Sequence, residues 1–163
     1  MSNRVAFLFP LLLALAALVS CGDRGPAPSK AQTAAPSEPT HQVFGDYELH
    51  YNALRTDELT PEVARAYGIE RSTNRVMLNV ALLRRNADGS TTPVDGRVSA
   101  RAYNLNGQLK NLEVRRIAEG PAVYFIGEVG ISGSEILVFD IDAAPLDQAT
   151  SFTVQSKREF FAG

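Results

Sequence analysis

The chain has 163 residues, a formal net charge of −2 and a single cysteine. Near-balanced charge excludes the basic stripe that a nucleic-acid binder uses to displace counterions, so no nucleic-acid partner is expected. One cysteine excludes both an internal disulfide and a multi-cysteine metal centre.

Residues 1–20 carry the pattern of an export signal. Arg4 provides a positive start, and an apolar run follows from Val5 to Val19. That run is shorter than the ~20 residues a membrane-spanning helix needs. It ends in Leu18-Val19-Ser20-Cys21, which resembles the lipobox of bacterial lipoproteins. The resemblance implies cleavage before Cys21 and acylation of its thiol and new amine, and several chains on one residue exceed the two-signal threshold for stable anchoring. Gly22, rather than Asp, after the cysteine favours the periplasmic face of the outer membrane over retention at the inner membrane. With its thiol used in this way, Cys21 leaves no free thiol for cysteine-nucleophile chemistry.

Residues 21–40 form the expected lipidated tether. Pro26, Pro28, Pro36 and Pro39 punctuate a stretch without large apolar side chains, which cannot bury enough surface to offset its ordering entropy. The remainder, 41–163, is long enough to support one core of its own.

In 41–163 the dominant period is two, the mark of strands with one buried face. Tyr47, Leu49, Tyr51 and Ala53 alternate with Glu48, His50 and Asn52 in a first strand placed at Val43–Leu54. Thr60 then reads as an N-cap, Pro61 as a first helical residue and Gly68 as a C-terminal stop, which predicts a short helix over 61–67. Val76, Leu78, Val80 and Leu82 share a face in the next strand, and Val98, Ala100 and Ala102 in another. Asn106-Gly107 signals a hairpin turn. Asn111–Ala118, Ala122–Val129, Glu135–Ile141 and Ser151–Phe161 complete about seven strands, the count of an antiparallel, immunoglobulin-like β-sandwich, with a barrel as the alternative.

The run GDYELHYNALRTDELTPEVARAYGIERS followed by NRVMLNVALL is more particular than a generic strand pattern. Through Gly45, Tyr47, His50-Tyr51-Asn52, Leu59-Thr60-Pro61, Val63-Ala64, Tyr67-Gly68-Ile69, Arg71-Ser72 and Asn79-Val80, it resembles a family of small exported proteins of Gram-negative bacteria, domain of unknown function 4426. The resemblance spans most of 42–161 and implies a fold and an envelope location, without an activity. Many members of the family it resembles carry a small hydroxylic residue after the Asn-Val pair, where this chain has Ala81.

Candidate chemistry is sparse. Asp46, Glu48, His50 and Asn52 are expected on one strand face, but same-face neighbours lie ~6.5 Å apart, too far for all four to ligate one ion. No metal or other cofactor is expected. No G-x-S-x-G elbow pairs a serine with His50, so hydrolase chemistry is the least favoured alternative and no catalytic residue is assigned. Asp140 and Asp142 read as solvent-facing positions between inward Phe139 and Ile141, and one of Phe160 and Phe161 is expected to close the core. The expected role is that of a lipid-anchored periplasmic module, not an enzyme, that binds an envelope protein or glycan; a structural or assembly lipoprotein is the alternative. Its expected binding surface centres on His50, Tyr51, Asn52, Tyr67 and Arg71.

Overall fold

The computed structural model describes residues 39–163. The expected signal peptide, Cys21 and all but the last two residues of the expected tether lie outside the described residues. Alternating side chains build two antiparallel sheets that share one core. The first holds β1 (His41–Phe44), β2 (Tyr47–Arg55), β3 (Arg75–Arg85), β8 (Ala122–Gly130) and β7 (Arg115–Glu119) in that order, with β4 (Thr91–Val94) paired to β3. The second holds β10 (Phe152–Phe161), β9 (Ser134–Pro145), β5 (Gly96–Asn104) and β6 (Leu109–Lys110).

The period-two residues meet between the sheets. Leu49, Val80 and Leu82 of the first sheet and Leu137, Phe139 and Ile141 of the second are wholly buried in one cluster. Each such side chain contributes roughly 1.5–3 kcal/mol by leaving water. This two-sheet sandwich, rather than a barrel, is the fold. Phe160 closes the core at 4% exposure while Phe161 stands out at 58%.

Local chemistry explains three departures from the expected strands. Val43–Leu54 is two strands, because Gly45 adopts a left-handed φ of 59° and folds β1 back on β2. The Asn106-Gly107 turn is not a two-residue one: the three residues 105–107 lie between Asn104 and Gln108, whose main chains bond at 3.1 Å, with Gly107 at φ 76°. The nearly buried Asn104 holds this loop, its Oδ1 accepting from the N–H groups of Asn106 and Gln108 at 3.1 and 3.0 Å. Residues 111–114 are not strand. Leu112 packs against the core, where its Cδ1 lies 2.6 Å from the place a Cβ on Gly127 would occupy.

The helix α1 (Pro61–Tyr67) forms as its caps predict. Thr60 Oγ1 accepts from the Val63 N–H, and Gly68 closes the end at φ 63°. Two turns are not stable alone and need docking. Ile69, Met77 and Ile126 form a second cluster with Leu54, Leu59, Tyr67, Ile117 and Tyr124, so α1 and its flanks cover part of the outer face of the first sheet. A turn of 3-10 helix (Thr56–Glu58) leads into α1. The fully buried Thr56 hydroxyl donates to the Ser72 carbonyl at 3.2 Å and accepts from the Ser72 N–H at 2.9 Å, stapling both flanks of the helix together. No helix among the described residues is long and apolar enough to cross a membrane.

Candidate functional site

Beyond the apolar cluster that outer face carries the polar side chains of β2. Glu48, His50 and Asn52 project from β2 because Tyr47, Leu49, Tyr51 and Ala53 take the inner face. The antiparallel register sets Asn52 opposite Asn79, His50 opposite Ala81 and His41 opposite His50. The result is an open pocket of about 250 Å³ lined by Thr40, His50, Tyr51, Asn52, Asn79 and Ala81.

His50 is braced on two sides. Its ring stacks on that of His41 with centroids 5.2 Å apart and planes 20° apart. Its Nε2 lies 2.9 Å from Glu48 Oε2. That hydrogen bond is the main reason the Glu48 carboxyl is held below its ordinary range; the nearby His41 and Arg85 add to it while desolvation opposes it. Across the pocket, Asn52 Oδ1 accepts a long bond of 3.4 Å from Arg158, whereas Asn79 Oδ1 is buried without a hydrogen-bond partner. Ala81 keeps the middle of the pocket shallow and open.

The structure thus brings His50 and Asn52 together. Tyr51 is a core residue at 7% exposure. Tyr67 and Arg71 lie outside this pocket. The Tyr67 hydroxyl donates to Glu119 at 2.6 Å, a bond that, with burial, pushes the phenol up to about 12. Arg115 donates to the Tyr67 carbonyl, and Arg71 Nη2 donates to the Asp57 carbonyl at 2.7 Å. Both residues fasten the helical segment. The sequence reading assigned no site role to Asn79, Thr40 or His41. The signal for Asn79 was a lone carboxamide inside the apolar run VMLNVALL, at an outward position of β3.

The lining offers no serine to pair with His50 as a base. Among the described residues, no group of three or more His, Cys, Asp or Glu side chains is arranged to hold a metal ion.

The profile of the family described as "Domain of unknown function (DUF4426)" matches residues 41–163. The chain belongs to the DUF4426 family. The crystal structure of a DUF4426 protein from Pseudomonas aeruginosa is 32% identical, covers 76% of this chain and 94% of its own, and superposes with a TM-score of 0.64. FetP of uropathogenic Escherichia coli, expressed in the periplasm of E. coli, shares the fold at a TM-score of 0.53 and 11% identity, over 74% of this chain and 92% of its own. A copper-bound FetP variant is similar at a TM-score of 0.52 and 12% identity, over 74% and 93%. No curated protein matches the chain. Seen against the family membership, Gly45, Thr60, Pro61, Gly68 and Ser72 of the recognisable run serve the fold, through turn, caps and staple. His50, Asn52 and Asn79 instead line the pocket.

Proposed function

We propose that this DUF4426 protein is a lipid-anchored periplasmic binding module, and that the pocket at His50, Asn52 and Asn79 recognises another component of the cell envelope. The observation that carries the reading is Asn79 Oδ1, a buried acceptor that the protein leaves unpaired at an open polar pocket. Buried polar groups are almost always paired, and a small rotation of the Asn79 carboxamide would bring this unpaired oxygen to a donor that enters the pocket. The export signal and lipobox ending at Cys21 supply the address, and the periplasmic expression of FetP is in keeping with it.

Copper, which one FetP structure contains, does not fit this chain's residues as they are placed. The only two histidines stack with near-parallel planes, so their in-plane lone pairs do not converge on one ion. The alternative role is structural, as an assembly lipoprotein of the envelope.

Two variants test the proposal. Cys21→Ala is expected to release the protein from membranes, and continued sedimentation with them would defeat the lipid anchor. Crosslinking of the full-length protein in its own cells, followed by mass spectrometry, is expected to capture an envelope component that His50→Ala and Asn79→Ala both lose. Equal capture by those variants would move recognition elsewhere, and envelope defects on deletion with every pocket variant silent would favour the structural role.

A further inference from the structure

We infer that the occupant of this pocket is one uncharged sugar residue of an envelope glycan, a reading that rests on the pocket being a recognition site as proposed above. Size limits the occupant first. About 250 Å³ lies below the ~300–1,000 Å³ of pockets that enclose whole drug-sized ligands, so the site receives a single unit of something larger. Its polar groups are the Thr40 hydroxyl, the carboxamides of Asn52 and Asn79 and the His50 imidazole, and no Asp, Glu, Lys or Arg belongs to the lining.

That set selects by chemistry. Arg158, which reaches Asn52, is engaged by the Ala53 carbonyl and Asn52 Oδ1, so a phosphate or carboxylate would find no free cation in the lining, and the ionised Glu48 sits beside His50. A cation would find no carboxylate in the lining. An apolar group would leave Asn79 Oδ1 unpaired. An extended peptide adds as a strand only at a sheet edge; at His50 the β2 main chain is already paired with β1 and β3, and beyond it Arg158 occupies the Ala53 carbonyl. A sugar hydroxyl or acetamido group both donates and accepts, and a carboxamide offers an acceptor and donors side by side. Asn52 and Asn79 stand directly opposite each other on β2 and β3, with the Asn52 oxygen already accepting the long bond from Arg158. The His50 ring, held by Glu48 and stacked on His41, adds a flat wall against which the C–H face of a pyranose can pack.

The test uses the full-length lipidated protein in detergent micelles and titrates two neutral disaccharides, one of N-acetylglucosamine and one of glucose, followed by ligand-observed NMR. A glucuronic-acid disaccharide and an unstructured peptide serve as comparison probes. At least one neutral disaccharide is expected to saturate, with the charged sugar and the peptide weaker by at least about tenfold. Asn79→Leu and Asn52→Ala are each expected to weaken sugar binding by about tenfold or more. Asn79→Leu is also expected to unfold at the same or a higher temperature, since it removes an unpaired buried acceptor; this separates lost recognition from lost folding. Failure of both neutral sugars to saturate, while His50-dependent capture persists in cells, overturns the sugar assignment and leaves the recognition site standing. Failure of both sugars together with capture that ignores His50 and Asn79 overturns both. A lower unfolding temperature for Asn79→Leu assigns Asn79 to the fold and overturns its role in binding.

Discussion

His41 and His50 stack ring on ring at 5.2 Å, and they are the only two histidines in the chain. The Gly45 turn creates this pair by returning β1 along β2, and Glu48 completes the group from the same face as His50. An ionised Glu48 is therefore part of how His50 is oriented.

Glu48 makes the hairpin acid-sensitive. Its carboxyl is depressed in the folded protein relative to its ordinary 4.5, so its contribution to stability is fully present above about pH 4.5 and is lost as pH falls through the lower folded value. Melting temperatures between about pH 3 and 7 are expected to fall less steeply on the acid side for Glu48→Gln than for the parent. Identical acid limbs would show that the carboxylate does not hold His50.

Two arginines join the sheets at the open side of the sandwich. Arg158 of β10 donates to the Ala53 carbonyl of β2 at 2.7 Å, and Arg55 of β2 donates to the Phe161 carbonyl of β10 at 2.7 Å. The first bond satisfies an edge carbonyl of β2 that β1, which begins at His41, is too short to cover. Arg158→Met keeps the apolar stem and loses the donor, and is expected to lower stability by about 1–2 kcal/mol. Urea unfolding checks this: the midpoint should fall at constant slope, and an unmoved midpoint would deny the Arg158 bond any role in closure.

Tyr67 reports on helix docking. Its phenol is raised from 10.0 to about 12, chiefly by the bond to Glu119. The associated stability is complete below about pH 10 and is lost as pH rises through the folded value. Absorbance of phenolate is expected to show one group still titrating near pH 12 in the folded protein, absent in Tyr67→Phe and shifted downward in Glu119→Gln. If Glu119→Gln leaves the late group in place, that bond does not hold the helix to β7.

Gly96 and Gly127 separate two kinds of close approach. A Cβ on Gly96 would lie 2.6 Å from Leu82 Cδ1 and 2.7 Å from the Ala144 carbonyl oxygen, a main-chain atom of the paired strand. A Cβ on Gly127 would meet Leu112 Cδ1 at 2.6 Å, the end of a side chain that can rotate, with the Glu113 oxygen at 3.2 Å. Gly96→Ala is expected to cost about 1–3 kcal/mol and Gly127→Ala less. The order of the two thermal midpoints decides it, and the reverse order would mean that β5 and β9 can shift apart.

Much of this architecture is written along single segments. The alternation Tyr47-Leu49-Tyr51-Ala53 places one face of β2 in the core because every second side chain points the same way, and Thr60, Pro61 and Gly68 mark the helix because caps act within one turn. His50 and Asn52 could be put on one face by the same rule. The short strands β4 and β6 were illegible, since four and two residues carry too little pattern. The irregular 111–114 segment was hidden as well, because Leu112 leaves strand geometry for a space that Gly127 creates from another strand.

What the sequence by itself determined is what depends on near neighbours: the export and lipobox pattern, the strand faces, the helix ends, and which residues of β2 face outward. Only the tertiary structure decided the pocket. Asn79 meets Asn52, and His41 meets His50, through strand register, which is set by how the two buried faces interlock and where Gly45 turns the chain. Tyr67 and Arg71, expected at the binding surface, hold the helix because a two-turn helix must borrow its stability from the sheet beneath it.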